Sequence, residues 1–164
     1  MHLRTSPLWT VFLLAAVLGV PGPAYTAEAG TAIAVIVHEQ VPVDDLSLQE
    51  LQRIFLGQRH SWSQNLTLIL LMPPRDSQER KVLLNRIYGK RSEAQYKRYW
   101  INKLFSDGTQ IVPKIADSPE MTASLVREIP GAVALIRTGR IPRGVKVLRI
   151  EGKQPGEAGY PLVN

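Results

Sequence analysis

The sequence contains no cysteine, and this absence excludes several classes of protein at once. Without thiols the chain has no disulfide framework, no cysteine-based zinc site and no attachment point for the acyl chain of a lipoprotein. Histidine is also scarce, since only His38 and His60 lie beyond residue 29. His38-Glu39 begins like a zinc-protease motif, but Pro42 stands where the second histidine would be. We therefore predict no bound metal and no cofactor.

The motifs of common enzyme classes are missing as well. The sequence has no Gly-x-Ser-x-Gly elbow, no Walker loop and no Gly-x-Gly-x-x-Gly fingerprint. Its carboxylates are scattered, and the pair Asp44-Asp45 is typical of a solvated loop rather than of acid/base catalysis. The sequence thus predicts a protein that is not an enzyme.

Residues 1–29 have the three parts of a cleaved secretory signal. Met1–Thr10 holds one arginine and no acid, and Val11–Val20 is an unbroken apolar run that Pro21 ends. Such a run is shorter than the roughly 20 residues that span a bilayer. Ala27-Glu28-Ala29 fits the small-residue cleavage rule best, and cleavage after Ala24 is the alternative. A retained membrane anchor is the other interpretation, but the pattern favours export to the periplasm.

The remaining residues, 30–164, suffice for one domain with a proper core. The leader holds one arginine and one glutamate, so this part keeps the net charge of +6. Excess positive charge in an exported protein suggests anionic ligands, acidic glycans, lipid headgroups or an acidic protein partner, while export argues against nucleic acid. No later segment is long and apolar enough to re-enter a membrane.

The hydrophobic pattern of residues 30–164 alternates between strands and helices. Short β-prone runs predict strands over residues 33–37, 66–72, 111–116, 132–136 and 145–150. Apolar residues at helical spacing after a capping residue predict helices that start near Ser47, Asp76, Ser92 and Ser118. The order β-α-β-α-α-β-α-β-β predicts an α/β domain with a mostly parallel sheet.

The aromatic residues suggest packing rather than ligand contacts. Tyr96, Trp100 and Leu104 recur at four-residue spacing on the third predicted helix, which favours a place in the core. Trp62 lies between polar residues, and we expect it to anchor its loop on the domain.

Three segments together resemble a known family. Leu46–Gly57 followed by Trp62 resembles the "LSLxELxxIFxGxxxxW" stretch of the phosphate-binding proteins of ABC transporters. Ile129–Ile136 resembles the later "NPGAIGYV" region, and Gly159–Leu162 resembles the point where a two-lobed binder crosses back to its first lobe. The match covers most of residues 32–162 and is closest to the small members of the group. The resemblance implies a single periplasmic-binding-protein-like lobe, with a mostly parallel sheet flanked by helices.

The resemblance also implies an anion site at the start of the second helix. Full-length members hold phosphate there with an Arg-Ser-Asp-Gly-Ser-Gly-Thr turn, and this chain reads Arg75-Asp76-Ser77-Gln78-Glu79. Arg75 matches and Ser77 supplies a hydroxyl, so Arg75, Asp76 and Ser77 are candidate ligands. The family's glycines and threonine are absent, however, and Glu79 would repel phosphate unless it points away or pairs with Arg80 or Arg75. In the competing interpretation, Asp76 only caps the helix and Arg75 is solvated.

A second basic segment follows the fourth predicted strand. Arg137–Arg143 carries three arginines, and loops at the carboxyl ends of strands in open α/β sheets commonly bind ligands. Arg137 and Thr138 are therefore candidate ligands too. The alternative is a solvated, hairpin-like connection with Gly139 and Pro142 as its turn residues.

Two functional hypotheses follow. The first is an exported, transport-linked solute-binding domain that binds a small oxyanion such as phosphate weakly. The second is a non-catalytic envelope interaction module that keeps the fold, has lost ligand binding and engages an envelope protein or an acidic polymer through its basic surface.

Overall fold

The computed structural model describes residues 32–106 and 112–163, and the predicted leader, residues 1–29, lies outside them. The elements, in chain order, are β1 (Ile33–Val37), β2 (Asp45–Leu46), α1 (Leu48–Phe55), β3 (Ser61–Ser63), β4 (Leu66–Thr67), β5 (Ile69–Met72), α2 (Gln78–Val82), α3 (Glu93–Ser106), β6 (Lys114–Ile115), α4 (Pro119–Glu128), β7 (Ala132–Arg137) and β8 (Lys146–Ile150). A π-helical turn, Leu83–Ile87, continues α2, and a 3-10 turn, Thr138–Arg140, follows β7.

The central sheet has the strand order β2-β8-β1-β7-β5-β6. β2 pairs with β8 in parallel, and β5 pairs in parallel with both β6 and β7. β1 lies between β7 and β8 and runs antiparallel to both. Five of the six strands in this described sheet therefore run in one direction, and the prediction of a mostly parallel sheet is confirmed.

Helices cover both faces of the sheet. Successive side chains of a strand point to opposite faces, so β1 contributes residues to the packing on each side. On one face, the alternate residues Ile33, Val35 and Val37 pack in one cluster with Leu51 and Phe55 of α1. On the other face, Ala34 and Ile36 pack with Val126 of α4. All five residues of β1 are buried, as its continuous apolar run predicts for a strand that is covered on both sides.

Three strand predictions need correction. The predicted strand 66–72 divides into β4, which forms a separate hairpin with β3, and β5, which joins the central sheet. The last two strands do not form a hairpin, because both flank β1 and residues 138–145 cross from one to the other. The predicted strand 111–116 is the two-residue β6, and residue 111 lies outside the described residues.

The helix starts largely confirm the capping pattern. Ser47 and Glu50 form a reciprocal capping box at α1. The Ser92 hydroxyl accepts a hydrogen bond from the Gln95 N–H at α3, and Ser118 caps α4 ahead of Pro119. At α2, however, the cap is Ser77 rather than Asp76.

The aromatic anchors differ in their burial. Trp62 is buried, and its indole N–H donates to the carbonyl of Gly131 over 2.8 Å, so it does anchor its segment on the domain. Trp100 is also buried, whereas Leu104 is 38% exposed and Phe105 is 87% exposed. The prediction that Leu104 belongs to the core is therefore wrong.

The end of the chain lies against its first strand. The N–H of Ile33 donates to the carbonyl of Leu162 over 2.8 Å, and the Tyr160 hydroxyl donates to the carbonyl of Ile33 over 2.9 Å. The segment Gly159–Leu162, which the sequence predicts to return to the lobe, thus contacts the start of β1, and its Tyr160 and Leu162 belong to the hydrophobic core.

Candidate functional site

The two predicted anion-binding segments lie at the same edge of the sheet. β5 and β7 are parallel neighbours, so their carboxyl ends meet there. The Arg75–Ser77 turn follows β5, and Arg137 ends β7 with Thr138 directly after it. The structure therefore brings together the two groups of candidate ligands that lie 60 residues apart in sequence.

Ser77 has a structural role in this turn. Its hydroxyl oxygen accepts a hydrogen bond from the Arg80 N–H over 3.1 Å and donates to the Pro74 carbonyl over 2.7 Å. Asp76 is exposed, and the expectation that it caps the helix is wrong. The hydroxyl proposed as a phosphate ligand is thus already used to start a short helix.

Glu79 is the residue that joins the two segments. It is only 3% exposed, and one carboxylate oxygen accepts a hydrogen bond from the main-chain N–H of Arg137 over 3.1 Å. The same oxygen lies 3.4 Å from Nε of Arg137, which completes an ion pair. The sequence left open whether Glu79 points away or pairs with Arg80 or Arg75, and the structure pairs it with Arg137 instead. The sequence did show a carboxylate, Glu79, near the position where the family holds its anion. It could not show the partner of this carboxylate, because Arg137 lies 58 residues away.

Arg80 turns to a different carboxylate. It is 4% exposed, and its Nε and Nη2 donate to the two oxygens of Glu93 over 2.7 and 2.8 Å. Its guanidinium carbon lies 3.9 Å from the centre of the Tyr96 ring. Burial works to lower the pKa of Arg80, but the hydrogen bonds to Glu93 and Tyr96 outweigh it and raise that pKa. The hydrogen bond from Arg80 in turn lowers the pKa of Glu93.

The other predicted cations are more open. Arg75 is exposed at the mouth of a cavity, and Nη1 of Arg140 lies 3.7 Å from Glu120 at the start of α4. The Thr138 N–H donates to the carbonyl of Ala32 over 3.1 Å, which ties the end of β7 to the start of β1. Arg137 is thus held by Glu79, whereas Arg75 remains accessible to a ligand.

The site's chemistry is that of charge pairing. The main-chain N–H and the guanidinium group of Arg137 face the buried carboxylate of Glu79, which is itself the oxyanion at this place. In the part of the chain that the structure describes, no group of three or more His, Cys, Asp or Glu residues is placed to hold a metal ion. Within those same residues, no helix has the length and apolar character needed to cross a bilayer.

Comparisons with known proteins identify the fold. No family model and no curated protein sequence matches the chain. Among solved structures, an ABC-type phosphate transport receptor from Vibrio cholerae superimposes with a TM-score of 0.60 at 19% identity, over 76% of this chain and 48% of that protein. A Clostridium perfringens structure described as a phosphate ABC transporter substrate-binding protein with bound phosphate gives a TM-score of 0.60 at 19% identity, over 77% and 48%. PstS from Borrelia burgdorferi gives 0.58 at 12%, over 76% and 49%.

The chain spans about half the length of these solved structures. Its fold is therefore that of one lobe of a phosphate ABC transporter substrate-binding protein, as the sequence resemblance implies. The alignment covers most of the described residues, so the similarity concerns the whole domain rather than one motif.

Proposed function

We propose that this protein is an exported, non-catalytic solute-binding domain, linked to transport, that binds a small oxyanion such as phosphate weakly. One observation carries the proposal: the edge where β5 and β7 end already holds an oxyanion, the carboxylate of Glu79. The same edge presents Arg75 to solvent. The solved neighbours that share the fold are named as phosphate receptors, which supports phosphate as the first ligand to test.

The geometry also explains why binding would be weak. Glu79 accepts a hydrogen bond from the main-chain N–H of Arg137 and lies 3.4 Å from its Nε, so an external anion competes with this carboxylate or binds at the rim beside Arg75. At an exposed rim a charge pair contributes about 1 kcal/mol or less. A single lobe also leaves one side of the anion in water. We therefore expect a dissociation constant near the millimolar range, equivalent to about −4 kcal/mol.

The second candidate is a non-catalytic interaction module for an envelope protein. The same Glu79–Arg137 pair favours it, because an internal carboxylate removes the need for a ligand to neutralise this edge. In that case the remaining exposed cations, such as Arg143, would contact an acidic partner.

A thermal-shift titration separates the two candidates. Phosphate and sulfate are added at fixed ionic strength to the wild type and to the variants Arg75→Ala, Glu79→Ser and Arg98→Ala. Arg98 is an exposed arginine on α3 and serves as the matched control for loss of one charge. Weak binding predicts that stabilisation grows with the logarithm of ligand concentration, falls in Arg75→Ala, rises in Glu79→Ser and is unchanged in Arg98→Ala. A uniform response of all four proteins would be a bulk salt effect and would favour the interaction module.

Export is tested separately by intact-mass analysis of cell fractions. The leader pattern predicts a periplasmic species that begins at Gly30, or at Tyr25 if cleavage follows Ala24. A full-length chain found solely in the cytosolic fraction would contradict this part of the proposal.

A further inference from the structure

A cavity of about 330 Å³ opens beside the Arg75 turn, between that turn, α3 and β6. Its volume lies at the small end of the range for ligand cavities, which is roughly 300–1,000 Å³. One wall of the cavity is apolar and the other is charged. The cavity therefore has the two-sided chemistry of a site for an amphipathic molecule.

The apolar wall consists of side chains that the fold leaves in contact with water. Ile101 and Leu104 of α3 are 42% and 38% exposed, and Ile115 of β6 is 57% exposed. Trp100 also lines the cavity and is itself buried. Of the six large apolar side chains exposed in the described part of the chain, three line this one cavity. Such a concentration of exposed apolar surface is typical of a binding site.

The charged wall is positive. Arg75, Arg80 and Lys97 line it, with Glu93 as the acid among the lining residues. Arg80 and Glu93 neutralise each other through two short hydrogen bonds, so Arg75 and Lys97 provide the excess charge. Nη1 of Arg80 is buried and has no hydrogen-bond partner among the described residues.

We propose that this cavity binds a small amphipathic anion, that is, a phosphate or carboxylate group attached to a short alkyl or aryl chain. The anionic group would lie between Arg75 and Lys97, and the chain would cover Leu104 and Ile115. This inference rests on the proposed function in one respect, since Arg75 contributes to both sites. It differs in the ligand, because the apolar wall offers nothing to inorganic phosphate.

Calorimetric titration with three matched compounds tests the proposal: octyl phosphate below its micelle concentration, inorganic phosphate and 1-octanol. Octyl phosphate is expected to bind at least tenfold more tightly than either of the others. Lys97→Gln and Leu104→Ser are each expected to weaken it at least fivefold, while Arg98→Gln, the next residue on α3 but outside the cavity, has no effect. Both lining residues are exposed, so the variants should fold, and their thermal unfolding checks this.

The outcomes are distinct. Equal affinity for octyl phosphate and octanol, or affinity that none of the lining variants changes, would overturn the proposal. Binding to phosphatidylglycerol vesicles that depends on Lys97 and Leu104, without binding of free octyl phosphate, would also overturn it and indicate a membrane-facing surface. A phosphate response lost in Arg75→Ala, with no gain from the octyl chain, would overturn this inference and leave the proposed function standing. Lys97-dependent binding of octyl phosphate with no response to phosphate would support this inference and contradict the proposed function.

Discussion

The carboxylate of Glu79 accepts a hydrogen bond from the main-chain N–H of Arg137 over 3.1 Å. This contact fastens the first turn of α2 to the end of β7, two elements that no loop connects directly. Nε of the Arg137 guanidinium lies 3.4 Å from the same oxygen, so the pair combines a partly buried hydrogen bond with a partly exposed ion pair. The carboxylate of Glu79 thus occupies this edge of the sheet, and we expect the stability of the edge to depend on its charge.

Replacing Glu79 by Gln should therefore destabilise the domain. The amide can still accept the Arg137 N–H, but it loses the ion pair, so we expect the free energy of unfolding to fall by about 1–2 kcal/mol. Glu128→Gln removes the same charge from an exposed position on α4 and should change stability by about 0.5 kcal/mol or less. Urea denaturation measures both variants. Equal effects would mean that the Glu79 contacts contribute nothing beyond net charge.

The assignment of Ser77 as the helix cap makes a second prediction. Ser77→Ala removes the acceptor for the Arg80 N–H and should cost about 1 kcal/mol. Asp76→Ala alters the neighbouring, exposed residue and should stay within about 0.5 kcal/mol of the wild type. Denaturant midpoints of the two variants decide the matter. A larger loss in Asp76→Ala would restore Asp76 as the capping residue.

The Arg80–Glu93 pair predicts a specific dependence of stability on pH. Hydrogen bonding from Arg80 lowers the pKa of Glu93 below its ordinary value of 4.5. The pair's contribution is therefore fully present above about pH 4.5 and is lost as the pH falls through the lowered pKa of the folded state. Because Glu93 is 45% exposed, solvent screening limits this contribution to about 1 kcal/mol.

The measurement for Glu93 is the unfolding free energy of the wild type and of Glu93→Gln between pH 7 and pH 3. The two curves should differ at neutral pH and converge at acid pH, because protonation of Glu93 removes the charge that Gln lacks, while the other carboxylates titrate alike in both proteins. A difference that stays constant across the range would show that the carboxylate charge is not what stabilises the pair.

Gly131 permits a close approach of two backbone segments. Its φ is +80°, and an added Cβ would lie 2.0 Å from the carbonyl oxygen of Thr67. Gly131→Ala should therefore cost about 2–4 kcal/mol or prevent folding. Gly139 offers the matched control, since a Cβ there meets nothing within 4 Å, and Gly139→Ala should leave the thermal midpoint nearly unchanged. Similar midpoints for the two variants would contradict the close approach.

Local signals in the sequence predicted much of the fold. The capping box at Ser47, the cap at Ser118 and the apolar run of β1 act within a few residues, and the structure confirms each of them. The direction of β1 could not be predicted from such local signals, because its antiparallel partners, β7 and β8, lie near the other end of the chain. A hydrophobic pattern reports burial and carries no information on strand register or direction.

The sequence predicted that the candidate ligands follow strand ends, but it did not predict what they contact. Arg75, Arg137 and Thr138 do lie at one edge of the sheet, as strand-end logic requires. Asp76 and Ser77 are both good capping residues, and only the exact start of α2 distinguishes them. Burial of Glu79 could not be read from neighbours in sequence, because the N–H that compensates its charge belongs to β7. Leu104 has helical spacing typical of the core, but it is 38% exposed, because periodicity alone does not show which part of a helix face is covered.

The position of β1 has a consequence for how the chain folds. Val35 lies opposite Leu135 and Leu148, so both neighbours of this strand are made one hundred residues or more after it. Contacts that distant in sequence slow folding, because the intervening chain must close before they contribute. The five apolar residues of β1 are fully buried in the folded domain, but they have no partner strand until residues 132–150 have been made. The newly made chain therefore exposes an apolar strand for most of its synthesis, which favours aggregation until β7 and β8 pair with it.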